Sequence, residues 1–98
     1  MVPKKQPMTR KVKVVWITGA SSGIGAALAK IYAQRGDKLI LSARRIPVLE
    51  KVKLECLNPD NIKILAFDLN DFDTAETHVQ KAFSFFGRID VLINNAGV

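Results

Sequence analysis

Three glycines and two serines form a short segment whose residue types could bind an anion. The segment reads TGASSGIG at residues 18–25 and joins an apolar run to an amphipathic one. Gly23 and Gly25 allow the backbone to approach a ligand, and a helix that begins here would direct its unpaired N–H groups at the ligand. Ser21 and Ser22 add hydroxyl donors. The predicted chemistry is anion binding, above all of a pyrophosphate; a tight turn without a ligand is the alternative.

The residues after the last glycine exclude one class of phosphate site. A P-loop requires a lysine followed by serine or threonine directly after its final glycine, whereas Gly25 is followed by Ala26 and Ala27. The glycine spacing, G-x-x-x-G-x-G, also differs from the usual G-x-G-x-x-G fingerprint of dinucleotide sites. Because two alanines follow Gly25, no lysine is placed to reach a terminal phosphate.

The segments around this loop alternate between short apolar runs and amphipathic runs. The apolar runs predict strands at residues 12–18, 38–42, 62–67 and 89–93, and helical spacing predicts helices from 24 to about 35, at 46–57 and at 71–86. Strands that are apolar throughout are typical of a parallel sheet covered on both faces. The predicted fold class is α/β, a doubly wound, Rossmann-type parallel sheet with β-α-β-α-β-α-β order and strand order 3-2-1-4. A flavodoxin-like order 2-1-3-4 is the alternative.

Each predicted helix carries one apolar stripe that we expect to pack on the sheet. The stripes comprise Ile24, Ala27, Leu28, Ile31 and Tyr32 in the first helix, Leu49, Val52 and Cys56 in the second, and Phe72, Ala75, Val79, Ala82, Phe83 and Phe86 in the third. Because Tyr32 and Cys56 lie on such stripes, they are predicted to be core residues rather than catalytic ones. His78 lies beside the third stripe and is predicted to be a solvated or rim residue.

The net charge of +6 is concentrated at the N-terminus. Five basic residues occur within residues 1–13, whereas residues 14–98 hold ten basic and nine acidic residues. We interpret residues 1–11 as a basic, disordered leader, with a nucleic-acid-binding or lipid-binding arm as the alternative, and predict no nucleic-acid partner for the remainder. No apolar run approaches the roughly 18 residues that span a bilayer, so a cytoplasmic protein is expected. The single cysteine excludes an internal disulfide and a multi-cysteine zinc site.

Three motifs in the expected order resemble those of the short-chain dehydrogenase/reductase family. They are the glycine segment at 18–25, Asp68-Leu69 after the third predicted strand, and NNAG at 94–97 after the fourth. The resemblance covers about residues 12–98. It implies that these residues are the N-terminal part of an NADP-binding Rossmann domain, truncated after the fourth strand.

The resemblance also implies a bound nicotinamide dinucleotide and a set of residues that hold it. The loop residues of this set are Gly19, Ser21, Ser22, Gly23, Ile24 and Gly25, which would wrap the phosphates and the adenosine ribose. Asp68 would accept a hydrogen bond from the adenine amino group, with the Leu69 N–H beside it; a turn or helix-cap role is the alternative for Asp68. Asn95, Ala96 and Gly97 would line the ribose and nicotinamide end, and Asn94 would tie neighbouring strands together.

The residues after the second predicted strand favour NADP over NAD. A site for NAD usually has an acidic residue about 20 residues after the glycines, where it holds the ribose 2′-hydroxyl. Here Ala43 stands at that place and is followed by Arg44 and Arg45. A guanidinium can pair bidentately with a 2′-phosphate, which would also offset the unfavourable position of two cations near a helix N-terminus. Two solvated surface arginines are the alternative.

No residue of the chain matches the catalytic group of the family, a Tyr-x-x-x-Lys pair with a serine downstream of the NNAG motif. The one tyrosine is Tyr32, and Gly36 stands four residues later. The expected function is the cofactor-binding half of an NADP-dependent short-chain oxidoreductase that interconverts an alcohol and a ketone or aldehyde. The catalytic half would be absent from this chain, which alone is not expected to be active, and the parent is expected to be a homo-oligomer. A non-catalytic NADP(H)-binding or regulatory truncated paralogue is the alternative.

Overall fold

The computed structural model of the protein describes residues 11–68 and 74–95, which contain a four-stranded parallel sheet. Its strands are β1 (Val14–Thr18), β2 (Lys38–Ser42), β3 (Ile62–Ile64) and β4 (Val91–Asn94). The helices are α1 (Gly23–Gln34), α2 (Ile46–Glu55) and α3 (Ala75–Phe86), and a 3₁₀ turn at Pro59–Asn61 precedes β3. The strand order is β3-β2-β1-β4, and all three pairings are parallel. The predicted order 3-2-1-4 is confirmed, and the flavodoxin-like order is wrong.

The two central strands are buried because helices cover both faces of the sheet. One core cluster combines alternate residues of β1 and β2, such as Ile17 and Leu41, with residues of α1 and α2. The other cluster combines Trp16 and Ile40, on the opposite face, with Ala82 of α3. Since successive strand residues point to opposite faces, the apolar sequences of β1 and β2 support a helix layer on each side.

Helix α1 packs on the sheet through a different face from the one predicted. Its buried residues are Gly25, Ala29 and Ala33, whereas Ile24 is 60% exposed and Ile31 is 51% exposed. The small residues allow the helix to lie close to the strands, so its larger aliphatic residues remain at the surface. The predicted stripe is therefore wrong for these two isoleucines and for Ala27, which is also exposed, whereas Leu28 and Tyr32 pack against the core as predicted.

Helix α2 packs through the predicted stripe. Leu49 and Val52 are buried, and so is Cys56, directly after the helix. Burial raises the pKa of the Cys56 thiol, as expected of a structural cysteine. Tyr32, predicted to belong to the core, is half-buried against the same cluster, and the guanidinium of Arg35 lies 5.7 Å from the centre of its ring.

Helix α3 follows its predicted stripe only in part. Ala82 is fully buried, and Phe85 and Phe86 pack partly buried against the core cluster of Trp16. Val79 and Phe83, which the spacing places on the inner face, are each about half exposed, and Ala75 of the same predicted stripe is exposed as well. The face of α3 that packs on the sheet is thus rotated towards Phe85. The predicted start of this helix, at residues 71–73, lies outside the described residues.

Strands β1, β3 and β4 are shorter than predicted. At the N-terminal end of β1, side chains replace part of the backbone hydrogen bonding between strands. The backbone N–H of Lys13 donates to Asp37 Oδ1 at 3.0 Å, and that of Val14 donates to Asp90 Oδ2 at 2.8 Å. Asp37 is buried. These carboxylates satisfy backbone groups where regular pairing of β1 begins.

Acid is expected to destabilise the fold partly through Asp90. The hydrogen bond from the Val14 N–H and that from Arg88 Nε, at 2.9 Å, hold the pKa of Asp90 below its usual value. A lowered folded-state pKa stabilises the fold above the unfolded-state pKa of about 3.9, and this contribution is lost as the pH falls through the folded-state pKa. We expect Asp90→Asn to lower the Tm at pH 7 and to weaken the dependence of Tm on pH in the acid range.

Thermal unfolding across this pH range measures the effect. Glu50→Gln, which replaces an exposed carboxylate of α2, is the matched control and should leave the profile of the wild type unchanged. Identical profiles for the wild type and Asp90→Asn would contradict the assigned role of Asp90.

Candidate functional site

The glycine loop lies at the edge of the sheet where the parallel strands end. It leaves β1 after Thr18 and enters α1 at Gly23. Gly19 has a φ of 69°, in the left-handed region that favours glycine. The Ala20 N–H donates to the Ser42 carbonyl at 3.1 Å and so ties the loop to the end of β2. Ligands of open α/β sheets bind at this edge.

Two glycines of the loop have different structural roles. A Cβ atom on Gly25 would lie 2.2 Å from the Gly19 carbonyl oxygen, 2.9 Å from Ala20 Cα and 3.0 Å from Asn95 Nδ2. A Cβ atom on Gly23 would have no neighbour within 4 Å among the described residues. Gly25 is therefore required for packing of the helix against the loop, while Gly23 leaves open space at the helix N-terminus.

Ser22 caps α1, whereas the neighbouring Ser21 does not. Ser22 Oγ accepts from the Gly25 N–H at 3.3 Å and from Asn95 Nδ2 at 2.8 Å, and it donates to the Gly19 carbonyl at 3.0 Å. These bonds use the donor and both acceptor positions of the hydroxyl. Ser21 is exposed, so it is the loop serine whose hydroxyl is left for a ligand.

The two asparagines after β4 contact the loop and its strand. Asn94 Oδ1 accepts from Thr18 Oγ1 at 2.8 Å, which joins β4 to β1 as predicted. The Asn95 backbone N–H donates to the Thr18 carbonyl at 3.2 Å, and its Nδ2 donates to the Gly19 carbonyl at 3.2 Å and to Ser22. The Asn95 side chain therefore fixes the shape of the glycine loop, a role that its predicted place beside the ribose does not include.

The arginines after β2 lie at the same edge of the sheet. Arg44 and Arg45 are exposed, and neither is seen in an ion pair with a described residue. Arg45 occupies the N-cap position of α2, whose first turn has neither a side-chain cap nor an acidic residue. Two guanidinium groups and the unpaired N–H groups of this turn create a positive potential that suits a second anion.

Asp68 follows a segment that continues alongside β2 after β3 has ended. The Leu65 N–H donates to the Leu41 carbonyl at 2.9 Å, and the Phe67 N–H donates to the Ala43 carbonyl at 3.0 Å. Asp68 itself is exposed, and it directly follows Phe67, whose partner Ala43 directly precedes Arg44. The predicted site residues Leu69, Ala96 and Gly97 lie outside the described residues.

Sequence reasoning missed an aromatic cluster beside this edge, formed by Trp16, Phe67 and His78. The Trp16 and Phe67 rings meet edge to face at 6.3 Å, and the Phe67 and His78 rings stack at 4.1 Å with 14° between their planes. His78 lies at the rim of the core as predicted, but it is half-buried on Phe67 rather than merely solvated. Its position four residues before the buried Ala82 was the available signal.

A parallel sheet of this order, with a glycine loop between its central strand and a helix N-terminus, defines a dinucleotide-binding domain of the Rossmann type. Residues 13–98 match the short chain dehydrogenase family, and the chain belongs to that family. It is 47% identical over 90 residues to the human protein named dehydrogenase/reductase SDR family member 7, an alignment that covers 87% of this chain and 26% of that protein. The resemblance inferred from the three motifs is confirmed.

Solved structures of similar fold include complexes with either nicotinamide cofactor. One is a 3-ketoacyl-(acyl-carrier-protein) reductase from Brucella melitensis complexed with NADH, with a TM-score of 0.72, 34% identity, and coverage of 82% of this chain and 32% of that one. Another is an actinorhodin polyketide ketoreductase with NADPH, with a TM-score of 0.79, 28% identity, and coverage of 89% and 34%. The family therefore binds nicotinamide dinucleotides, and its members differ in which one.

The chain spans about a quarter to a third of the length of the first curated relatives it matches. In the part of the chain that the structure describes, none of the helices has the length and apolar character needed to cross a bilayer.

The two loop serines are expected to respond differently to substitution. Ser22→Ala removes the α1 cap and should lower the free energy of unfolding by about 1 kcal/mol. Ser21→Ala should leave stability unchanged but weaken the affinity for a nicotinamide dinucleotide by about tenfold, because it removes the hydroxyl that the sequence predicts to donate to a phosphate of the cofactor. Urea denaturation and a cofactor titration of both variants measure these effects. Equal losses of stability in the two variants would contradict the distinction.

Proposed function

We propose that this chain is the NADP(H)-binding part of a short-chain oxidoreductase that interconverts an alcohol and a ketone or aldehyde. The observation that carries the proposal is the end of β2, where Ala43, Arg44 and Arg45 lead into a helix N-terminus that has no side-chain cap and no acidic residue in its first turn. A carboxylate at this place would hold the ribose 2′-hydroxyl of NAD. Two exposed guanidinium groups suit the 2′-phosphate of NADP instead.

The glycine loop would hold the pyrophosphate of the same cofactor. The first turn of α1 has no acidic residue, and the space beside Gly23 is open. Phosphate oxygens in that space would face the N–H groups of the turn and the positive end of the helix dipole. Ser21 would add a hydroxyl donor, the exposed Ile24 would cover one side of the ligand, and Asp68 would accept from the adenine amino group.

The residues of this chain would bind and orient the cofactor rather than act on a substrate. Bound NADPH would supply the hydride, but a proton donor for the carbonyl oxygen is also needed. The family's Tyr-x-x-x-Lys pair does not occur in the sequence, and Tyr32 is packed against the core. We therefore assign cofactor binding to this chain and propose that catalysis and substrate choice belong to further residues of a whole protein as long as its relatives.

Titration of the full chain with NADPH and with NADH tests the proposal. Its only tryptophan, Trp16, allows binding to be followed by fluorescence. We expect at least about tenfold tighter binding of NADPH, since hydrogen bonds to a charged group contribute about 1.5–3 kcal/mol, and competition by 2′,5′-ADP but not by 5′-AMP. Equal affinities would overturn the preference for NADP, and absence of binding by both cofactors would overturn the binding function itself.

A non-catalytic NADP(H)-binding paralogue is the alternative that the sequence leaves open. Both candidates make the same binding prediction. Turnover of a carbonyl compound with NADPH by the whole protein would decide for the oxidoreductase. From the sequence we also propose that the protein is cytoplasmic and that the whole protein is a homo-oligomer.

A further inference from the structure

The aromatic cluster of Trp16, Phe67 and His78 is connected to both sides of the site proposed for the adenosine end of the cofactor. The Phe67 N–H donates to the Ala43 carbonyl at 3.0 Å. Phe67 is therefore bonded to the residue that precedes Arg44, and it directly precedes Asp68 along the chain. The position of Phe67 therefore affects both proposed contacts, that of Arg44 with the 2′-phosphate and that of Asp68 with the adenine.

The backbone at Phe67 needs support from side chains because it lies beyond the regular strand. Strand β3 ends at Ile64, and residues 65–67 then run alongside the end of β2 and Ala43 through the hydrogen bonds from Leu65 and Phe67. With so few ladder bonds, the packing of the Phe67 ring against the core cluster of Trp16 helps to fix the backbone that leads into Asp68.

The Phe67 ring is held from two sides. On one side the Trp16 ring meets it edge to face at 6.3 Å, and Trp16 is itself fixed by a buried 2.8 Å hydrogen bond from its Nε1 to Ser42 Oγ. On the other side the His78 ring lies nearly parallel at 4.1 Å. His78 Nε2 is 2.8 Å from Thr74 Oγ1, so the imidazole is anchored at the start of α3.

We propose that His78 is a positioning residue for the adenosine end of the NADP(H) site, a proposal that rests on the function proposed above. Stacking of His78 on Phe67 fixes the segment that carries Asp68 and joins it to Ala43, and thereby sets the separation between Asp68 and Arg44. The imidazole acts through Phe67 and does not touch the ligand. Its planar ring is the feature that matters, since the stack is the contact that reaches Phe67.

Three variants of the full chain test this role by titration with NADPH and with 2′,5′-ADP. His78→Ala should weaken both ligands by the same factor, up to about tenfold, because the segment that the stack no longer holds must be ordered when the ligand binds, and the energy of one aromatic pair limits that cost. His78→Phe keeps a ring over Phe67 and should restore most of the affinity. Gln80→Ala, at an exposed position of the same helix, is the matched control and should bind as the wild type does.

The near-ultraviolet circular dichroism of Trp16 gives an independent readout, because its ring contacts Phe67. His78→Ala should reduce this signal and His78→Phe should recover it. If His78→Ala does not fold, His78→Leu replaces it, since leucine keeps volume without a ring, and the same loss of affinity is expected.

The outcomes separate this inference from the proposed function. Wild-type affinity in a folded His78→Ala or His78→Leu variant would overturn the role of His78 and leave NADP(H) binding intact. A loss that His78→Phe does not restore would also overturn it, because the stack would then not be the cause. A wild-type chain that binds neither NADPH nor 2′,5′-ADP would overturn the proposed function and this inference together.

Discussion

Gly25→Ala is expected to destabilise the fold by about 1–3 kcal/mol or to prevent folding, because the added methyl group enters a fully packed position. The Cβ atom would meet the backbone at Gly19 and Ala20, and neither can move without displacing the loop. The Asn95 amide would be pushed away as well, which breaks its hydrogen bonds to the loop. Chemical denaturation of the variant and the wild type measures the loss.

Gly23→Ala is the matched control for this prediction. Its Cβ atom would meet no described residue within 4 Å, so the free energy of unfolding should stay within about 0.5 kcal/mol of the wild-type value. Its affinity for NADPH should nevertheless fall, because the methyl group occupies the space proposed for the pyrophosphate. Equal destabilisation by the two substitutions, or full cofactor affinity in Gly23→Ala, would contradict the roles assigned to these glycines.

The sheet and its order could be predicted because the signal for them is local and strong. Predominantly apolar strands, separated by helices with stop residues such as Gly36, leave few right-handed topologies. Strand ends were predicted less well because side chains decide them. At the N-terminal end of β1, the carboxylates of Asp37 and Asp90 accept hydrogen bonds from backbone N–H groups within the predicted strand.

The helix faces show where sequence periodicity misleads. Large aliphatic residues dominate the apolar pattern of α1, yet the structure buries Ala29 and Ala33 and exposes Ile24 and Ile31. The cause is the close approach of α1 to the loop at Gly25, which fixes the rotation of the helix about its axis. That contact spans two elements, so spacing within the helix cannot reveal it.

The candidate site was predicted by residue type but not by role. The sequence gives no reason to assign different roles to the adjacent Ser21 and Ser22. The hydrogen bonds that Ser22 accepts from Gly25 and Asn95 identify it as the helix cap and leave Ser21 as the hydroxyl proposed to bind the ligand. His78 lacked any neighbour in the sequence that indicated a ring partner. Its stack on Phe67 depends on the packing of α3 against the sheet.

Arg44→Ala is expected to remove most of the preference for NADPH over NADH. Loss of the guanidinium proposed to pair with the 2′-phosphate should weaken NADPH binding by about tenfold to a hundredfold, since hydrogen bonds to charged groups contribute about 1.5–3 kcal/mol. NADH, which lacks the phosphate, should bind nearly as before. Titration of each variant with both cofactors gives the ratio of affinities, and an unchanged ratio in a folded Arg44→Ala variant would contradict the assignment.

Comparison with other arginine variants shows which property of Arg44 matters. Arg44→Lys keeps the charge but loses the bidentate fork, so its NADPH affinity should lie between those of the wild type and Arg44→Ala. Arg45→Ala is the positional control. A smaller loss of NADPH affinity in this variant would show that the 2′-phosphate contacts Arg44 rather than Arg45. Without cofactor, Arg44→Ala should be no less stable than the wild type, because a cation near the N-terminus of α2 is unfavourable by about 0.3–1 kcal/mol until an anion binds. A variant that loses NADPH affinity but not stability would show that this arginine serves the ligand rather than the fold.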